Sequence, residues 1–272
     1  MATVAVTKAV TVAVATKPSV NQKAPHSVGR LLDEPEAYTI GWQPFIGLKI
    51  YLDSRPLIPR PETEWWTEQL LQNVLARRLK DVSERDGARD SKFLAKNYAC
   101  PEGGAPVRLL DLCAGSGAIG CAALAHLPNA QVYFGEIDPA HEATILKNIR
   151  ENNLDESRAD IRIGDLFQPF SDIKFDVIAI NPPYIPIERE LPPSVANYEP
   201  AIALRSGDDG LDLMRRISLS VRCHLAEDGV AWIEVDSAAA SDAAALFTAQ
   251  GLATEIRTDQ YDRPRIIVVS FK

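Results

Sequence analysis

The sequence predicts a doubly wound α/β fold whose mostly parallel sheet ends in an antiparallel hairpin. Three observations carry this expectation. From Val107 onward, strand-length apolar runs alternate with helix-length segments, and strands that are apolar throughout belong in a sheet covered on both faces. The first run opens into the glycine-rich stretch Asp111-Leu112-Cys113-Ala114-Gly115-Ser116-Gly117, and the fourth stops at Asn181-Pro182-Pro183-Tyr184. The last two runs have no helix between them, which calls for an antiparallel pair.

Taken in order, residues 1–37 form a tail, 38–60 a hairpin and linker, and 61–272 the principal domain. The first 27 residues are built mainly from Ala, Val, Thr and Lys, with valines at positions 4, 6, 10, 12 and 14. That composition leaves three readings open: a strand, a loose tail, and an organelle (mitochondrial) presequence. Aromatic and apolar residues from Tyr38 to Pro59, interrupted by Gly41, Gly47, Asp53 and Pro56, suit a short β-hairpin. Pro61 opens a helix to about Lys80, with Glu62 and Glu64 at its positive end and Trp66, Leu70, Val74 and Leu75 at helical spacing. Polar residues 80–106 read as a connecting loop. Strands are then expected at Val107–Cys113, Gln131–Glu136, Ala159–Ile163, Phe175–Asn181, Val230–Val235, Ala253–Arg257 and Arg265–Phe271. Helices are expected at Ala118–His126, Ala140–Asn152, Leu211–Ala226 and Ala238–Gln250.

Composition narrows the function classes. The 272 residues are 46% hydrophobic and 24% charged, with a net charge of −8, as in an ordinary soluble enzyme. No run approaches the roughly 20 apolar residues that span a bilayer. Lys8, Lys17, Lys23 and Arg30 give the first 32 residues four positive charges and no acid, so the remainder carries −12. A body so acidic is a poor general binder of phosphate backbones. Cys100, Cys113, Cys121 and Cys223 lack metal-ligand spacing and read as free thiols. His26, His126, His141 and His224 are scattered, so no metal is expected and surface or helix positions suffice for them.

The glycine stretch points to a ligand. Gly115 and Gly117 let the backbone turn sharply and approach a bound group at a helix N-terminus. Glu136, closing the second strand, is placed to accept two ribose hydroxyls, and Asp165 after the third strand to meet an adenine edge. Asp138 reads as the cap of the next helix, before Pro139. Asp111 at the head of the stretch suits a cationic ligand portion, which favours S-adenosyl-L-methionine with its amino group over a nicotinamide cofactor.

The Asn-Pro-Pro-Tyr segment lies at the carboxyl edge of the sheet, where open α/β folds place their ligands. Two adjacent prolines fix φ and offer carbonyls without competing N–H donors. The Asn181 side-chain oxygen and the Pro182 carbonyl can both accept from one planar NH2 group, with Tyr184 flat against the conjugated system. An amide or aryl amine nitrogen is a feeble nucleophile, and holding both its hydrogens directs the lone pair at a methyl sulfonium. Orientation and electrostatic preorganisation then supply the rate, without a covalent intermediate.

With these residues in hand, the chain resembles the HemK/PrmC family of release factor glutamine methyltransferases. Asn181–Tyr184 carries the likeness together with Leu57-Ile58-Pro59-Arg60-Pro61-Glu62-Thr63-Glu64 upstream. Downstream, Glu199-Pro200, Ala203-Leu204, Gly207 with Asp209-Gly210-Leu211, and Asp262-Arg263-Pro264-Arg265 complete an ordered set from about Tyr38 to Lys272. The resemblance implies a seven-stranded Rossmann-like methyltransferase sheet and methylation of the glutamine amide in the Gly-Gly-Gln motif of a release factor. It further implies that Asn181, Pro182, Pro183 and Tyr184 hold that amide. S-adenosylmethionine would be surrounded by Asp111, Cys113, Ala114, Gly115, Ser116, Gly117, Glu136, Asp165, Leu166 and Asn181. Arg60 and Thr63 would shape the cofactor entrance, with an outward structural role equally open for Arg60, and Ile185–Asn197 would wall the substrate cleft. Relatives keep a helical substrate-binding domain ahead of the hairpin, where this sequence has the tail, and Asp236-Ser237 replace the family's Gly and Gln. These departures suggest a shortened eukaryotic or organellar member, acting as a monomer in the cytoplasm or mitochondrion without membrane or direct nucleic-acid contact. A nucleic-acid amine methyltransferase acting on a flipped base uses the same platform, but the −12 body and the lack of a basic, aromatic recognition region disfavour it.

Overall fold

The computed structural model describes residues 33–86 and 106–272, so the readings of residues 1–32 and of 87–105 lie outside the described residues. Helix α1 (Glu36–Ile40) leads into strands β1 (Trp42–Phe45) and β2 (Leu48–Tyr51), and α2 spans Pro61–Asp86. Then come β3 (Val107–Leu112), α3 (Ala118–His126), β4 (Ala130–Glu136), α4 (Glu142–Glu151), β5 (Ala159–Ile163) and β6 (Phe175–Ile180). A short helix α5 (Pro193–Ala196) precedes α6 (Asp212–His224), β7 (Leu225–Glu234), α7 (Ala240–Ala249), β8 (Leu252–Thr258) and β9 (Pro264–Phe271).

The seven-stranded sheet has the order β5-β4-β3-β6-β7-β9-β8. Strands β3 to β7 run parallel, and β9 pairs antiparallel with both β7 and β8, the expected terminal hairpin. The chain leaves β3 toward β4 and leaves β6 toward β7, in opposite directions, so the carboxyl ends of β3 and β6 flank the topological switch point. Both motifs singled out in the sequence emerge there.

Side-chain alternation builds two cores. On one face Leu109, Val132, Phe134, Val177, Ala179 and Trp232 pack with α2, α3, α4 and the β1–β2 hairpin. On the other Leu110, Leu112, Ile178, Ile180, Ala231 and Ile233 pack with α6 and α7. The period of two then places Asp111, Asn181 and Glu234 on the first face, at the carboxyl ends of three neighbouring strands. Helix α2 covers this face with Thr63, Trp66, Thr67, Leu70, Leu71 and Val74, all buried and three or four residues apart. Leu75, expected in that stripe, is exposed.

Several boundaries differ from expectation. Tyr38 lies in a helix, not in the hairpin: Pro35 caps it, and Gly41 at φ 86 closes it in the left-handed region, donating its N–H to Ala37 at 2.8 Å. Helix α2 continues past Lys80 to Asp86. Helix α6 stops at His224 because Leu225 already pairs with Phe175, and β7 begins there through a shift in register before Val177. Gly229 permits that shift, since a Cβ there would sit 2.7 Å from the Phe175 carbonyl oxygen.

Candidate active site

A cavity of about 390 Å3 opens at the switch point, within the range of small-molecule sites. Its wall includes Cys113, Gly115, Glu136, Asp165, Leu166, Asn181 and Pro183 from the expected set. A second cavity of about 240 Å3 lies beside it, lined by Arg60, Pro182, Tyr184, Ile185 and Val195 among others. Leu57, Asn181 and Ala203 border both.

The glycine turn is held by side chains that the cavity does not expose. Asp111 is 1% exposed and lies outside the cavity wall, and its Oδ2 accepts the Gly120 N–H at 2.8 Å. Its other oxygen is buried without a partner. Burial pushes the carboxyl well above the usual range, against the pull of the Gly120 hydrogen bond and with a further push from Glu136. The structure therefore sets Asp111 beneath the turn, where it anchors α3, and not on the ligand wall where the sequence suggested it. Ala114 and Ser116 likewise sit behind the wall; Ala114 donates to the Gly135 carbonyl and Ser116 accepts from Asn148 Nδ2 at 2.8 Å. Gly117, at φ 75, is the N-cap of α3.

Glu136 faces the cavity with its carboxylate cradled by backbone. Oε2 accepts from Gly115 at 2.7 Å, and Oε1 from Ile137 and Asp138 at 2.9 Å each. Two non-glycine residues on the wall hold positive φ, Cys113 at 62° and Leu166 at 50°. Such conformations cost about 1–3 kcal/mol and persist where the surroundings over-determine them, typically at ligand sites. Burial pushes the Cys113 thiol up, with Glu136 adding to the effect, so it is a protonated wall atom rather than a nucleophile. Asp165 pairs with Arg216 of α6 at 2.5 Å. Asp138 caps the turn after β4, accepting from Ala140.

Around Asn181 the sequence reading missed the organising group. Glu234, 1% exposed, accepts Thr63 Oγ1 at 2.6 Å and Trp66 Nε1 at 2.7 Å on Oε2, and the Tyr184 hydroxyl at 2.9 Å on Oε1. Asn181 Nδ2 donates to Thr63 Oγ1 at 3.1 Å. Burial first, and the Glu234 carboxylate second, push the Tyr184 phenol well up. Arg265 stands nearby; burial works against its charge, but Tyr184, Glu234, Asp259 and Glu62 outweigh that and hold it above its ordinary range. One signal in the sequence pointed to Glu234: an acid at the end of the otherwise apolar Val230–Val235.

One further expectation is corrected. Thr63 is buried under Asn181, and Arg60 lines the second cavity, paired with the buried Glu199 at 2.5 Å, so neither forms the mouth of the larger cavity. His141 holds a helix position, as one of the two expected alternatives had it, in the 3-10 turn Pro139–His141; it is buried there, lines the larger cavity and meets Ser54 Oγ through Nδ1 at 2.8 Å. Among the described residues Cys113, Cys121 and Cys223 are free thiols, no cluster of metal-ligating side chains occurs, and no helix is long and apolar enough to cross a membrane.

The sheet order and the switch-point cavity define a methyltransferase, and residues 86–191 match the family described as "Methyltransferase small domain". The catalytic domain of hMettl16, solved in complex with the MAT2A 3′UTR hairpin 6, shares the fold: TM-score 0.56 at 18% identity, covering 84% of this chain and 77% of that one. The release factor glutamine methyltransferase of Chlamydia trachomatis serovar L2 is 32% identical over 233 residues, covering 84% of this chain and 70% of that protein. The Thermodesulfovibrio yellowstonii enzyme of the same name is 32% identical, covering 80% and 71%. The ribosomal protein uL3 glutamine methyltransferase of Bradyrhizobium diazoefficiens is 34% identical, covering 72% and 56%. The chain belongs to the release factor glutamine methyltransferase family, as its HemK/PrmC-like motifs indicated.

Proposed function

We propose that this chain methylates the side-chain amide nitrogen of the glutamine in the Gly-Gly-Gln loop of a peptide chain release factor. The observation that supports it most is the place of Asn181, which borders both cavities. One cavity suits the methyl donor and the other the acceptor side chain, so the reacting nitrogen comes to the Asn181 amide from the second and meets the donor from the first.

The residues of the larger cavity fit S-adenosylmethionine. Glu136 Oε2, which accepts only the Gly115 N–H, retains a lone pair for a ribose hydroxyl. Gly115 at φ 55 offers bare backbone, since even a Cβ there would meet only Pro56 at 3.9 Å. Leu112, Ile137, Leu166 and Ile202 give apolar walls for a purine ring, with Asp165 at its polar edge. Cys113 and Gly115 line the wall, while Asp111, Ala114, Ser116 and Gly117 shape the turn from behind. The bound cofactor supplies an electrophilic methyl on a sulfonium.

The protein's own part is orientation. Asn181 Oδ1 and the Pro182 carbonyl accept the two amide hydrogens, Pro183 stiffens the segment, and Tyr184 flanks the amide plane. As the nitrogen gains the methyl carbon and the carbon–sulfur bond breaks, the nitrogen gives up one proton to solvent. Positioning of this kind supplies several kcal/mol of barrier lowering without a strong base.

Incubation with methyl-labelled S-adenosylmethionine and a release factor tests the proposal. Label is expected in the factor and absent from its Gln→Ala variant. Label that survives that substitution, or enters only ribosomal protein uL3 or nucleic acid, overturns it. Among the relatives, the uL3 enzyme is the reason for including that substrate.

A further inference from the structure

The Asn181 side chain presents two chemically opposite ends, and the reaction needs one of them. An acceptor oxygen holds an amide N–H; a donor NH2 repels it and favours a carboxylate. The two ends have nearly the same shape, so packing does little to choose between them. The hydrogen bonds around Glu234 do.

Trp66 Nε1 can only donate, and it donates to Glu234 Oε2. Thr63 donates its single hydroxyl hydrogen to the same oxygen at 2.6 Å, while Tyr184 occupies Oε1. With that hydrogen spent, Thr63 Oγ1 has only lone pairs left for Asn181. The amide must therefore turn its Nδ2 to Thr63, as it does at 3.1 Å, and its Oδ1 is left for the acceptor side. Turning Asn181 over would set its oxygen against the Thr63 oxygen, with no hydrogen left between them.

We propose that Glu234 and Thr63 are positioning residues that fix Asn181 as a hydrogen-bond acceptor, and that the pair thereby makes the site select a glutamine amide against a glutamate carboxylate. This rests on the functional reading above and deepens it. The relay also explains why a carboxylate is buried at the end of β7. An acceptor-only group at its head gives the whole chain of bonds one direction, from Asn181 to Thr63 to Glu234.

Thr63→Val removes the hydroxyl at nearly constant volume and is the first variant to make. It is expected to lower kcat on the release factor roughly tenfold or more, with the dissociation constant for S-adenosylmethionine changed less than about threefold. Binding of two peptides, differing only as Gly-Gly-Gln and Gly-Gly-Glu, reads the polarity directly. The wild-type preference for the amide is expected to shrink at least roughly fivefold in Thr63→Val and to return in Thr63→Ser. Should the wild type fail to methylate the factor, the functional reading is overturned. If it methylates the factor and Thr63→Val keeps both kcat and the peptide preference, or Thr63→Ser restores neither, the relay is overturned and that reading stands.

Discussion

Asp111 shows how a buried acid can be structural in a site lined by ligand-facing ones. It is enclosed, holds one backbone N–H and has a second oxygen without a partner. Because its folded pKa is raised, the protonated form is favoured in the native state. Its contribution to stability is present below the unfolded carboxylate value, near pH 4, and is lost as pH rises through the raised folded value. Asp111→Asn does not titrate. In the cofactor-free protein, the melting temperature of the variant relative to wild type is expected to climb as pH rises from about 4 toward the raised folded value. A difference that stays flat, or moves toward the wild type, would show that the residue is not held protonated. The sequence reading took this acid for a ligand contact because a glycine stretch displays which residues are adjacent but not which way each points. Strand alternation supplies the direction: Asp111 shares a face with Leu109 and so turns to α3.

At the scale of elements, the β1–β2 hairpin is fastened by two asparagines, Asn148 of α4 and Asn152 at its C-cap. Asn148 accepts the Tyr51 N–H at 2.7 Å and donates to the Tyr51 carbonyl at 3.1 Å, while Asn152 makes the same pair of bonds with Lys49 at 3.0 Å each. Four residues of helix rise about 6 Å, close to the advance of two residues along a strand, so helix side chains four apart can pair with strand residues two apart. Asn148 also donates to Ser116 in the glycine turn, joining the hairpin to the cavity's floor. Asn148→Ala strands three backbone groups, the Ser116 carbonyl buried and the two of Tyr51 partly buried, and is expected to cost about 3 kcal/mol. Asn152→Ala, whose bonds to Lys49 are exposed, should cost under about 1 kcal/mol. Urea unfolding midpoints measure both, and equal losses would refute the clamp. The sequence displayed the hairpin through its glycines and aromatics, and α4 through its periodicity, but not their union. Tyr51 and Asn148 are 97 residues apart, and an asparagine on a helix face carries no mark of the strand it will meet. The same distance hid Glu234, whose donor Thr63 lies 171 residues earlier. The strands, the glycine turn and the Asn-Pro-Pro-Tyr platform were legible because each is set by residues a few positions apart.

Across the whole molecule, the proposed function assigns the methyl donor to the larger cavity and the acceptor to the smaller, and a division of that kind is measurable. A ligand that binds only the folded protein stabilises it by about 2.7 kcal/mol at a hundred times its dissociation constant. For a domain of this size that raises the melting temperature by roughly 2–4 °C per kcal/mol at the lower end of the range. The larger cavity is framed by β3, β4 and β6, so stabilisation by S-adenosylmethionine should spread through the central sheet. Asn181 borders both cavities, whereas Glu136 holds the Gly115 turn and lines only the larger one. Asn181→Ala is therefore expected to keep most of the cofactor-induced rise in melting temperature while losing at least roughly a hundredfold in methyl transfer. Glu136→Ala should lose most of the rise and transfer together. The control is the melting temperature of each variant without cofactor, because Glu136 also satisfies three backbone N–H groups and its removal lowers the baseline. A large loss of cofactor stabilisation in Asn181→Ala would assign that residue to the donor side of the junction. The separation into two cavities would then no longer be a separation of roles.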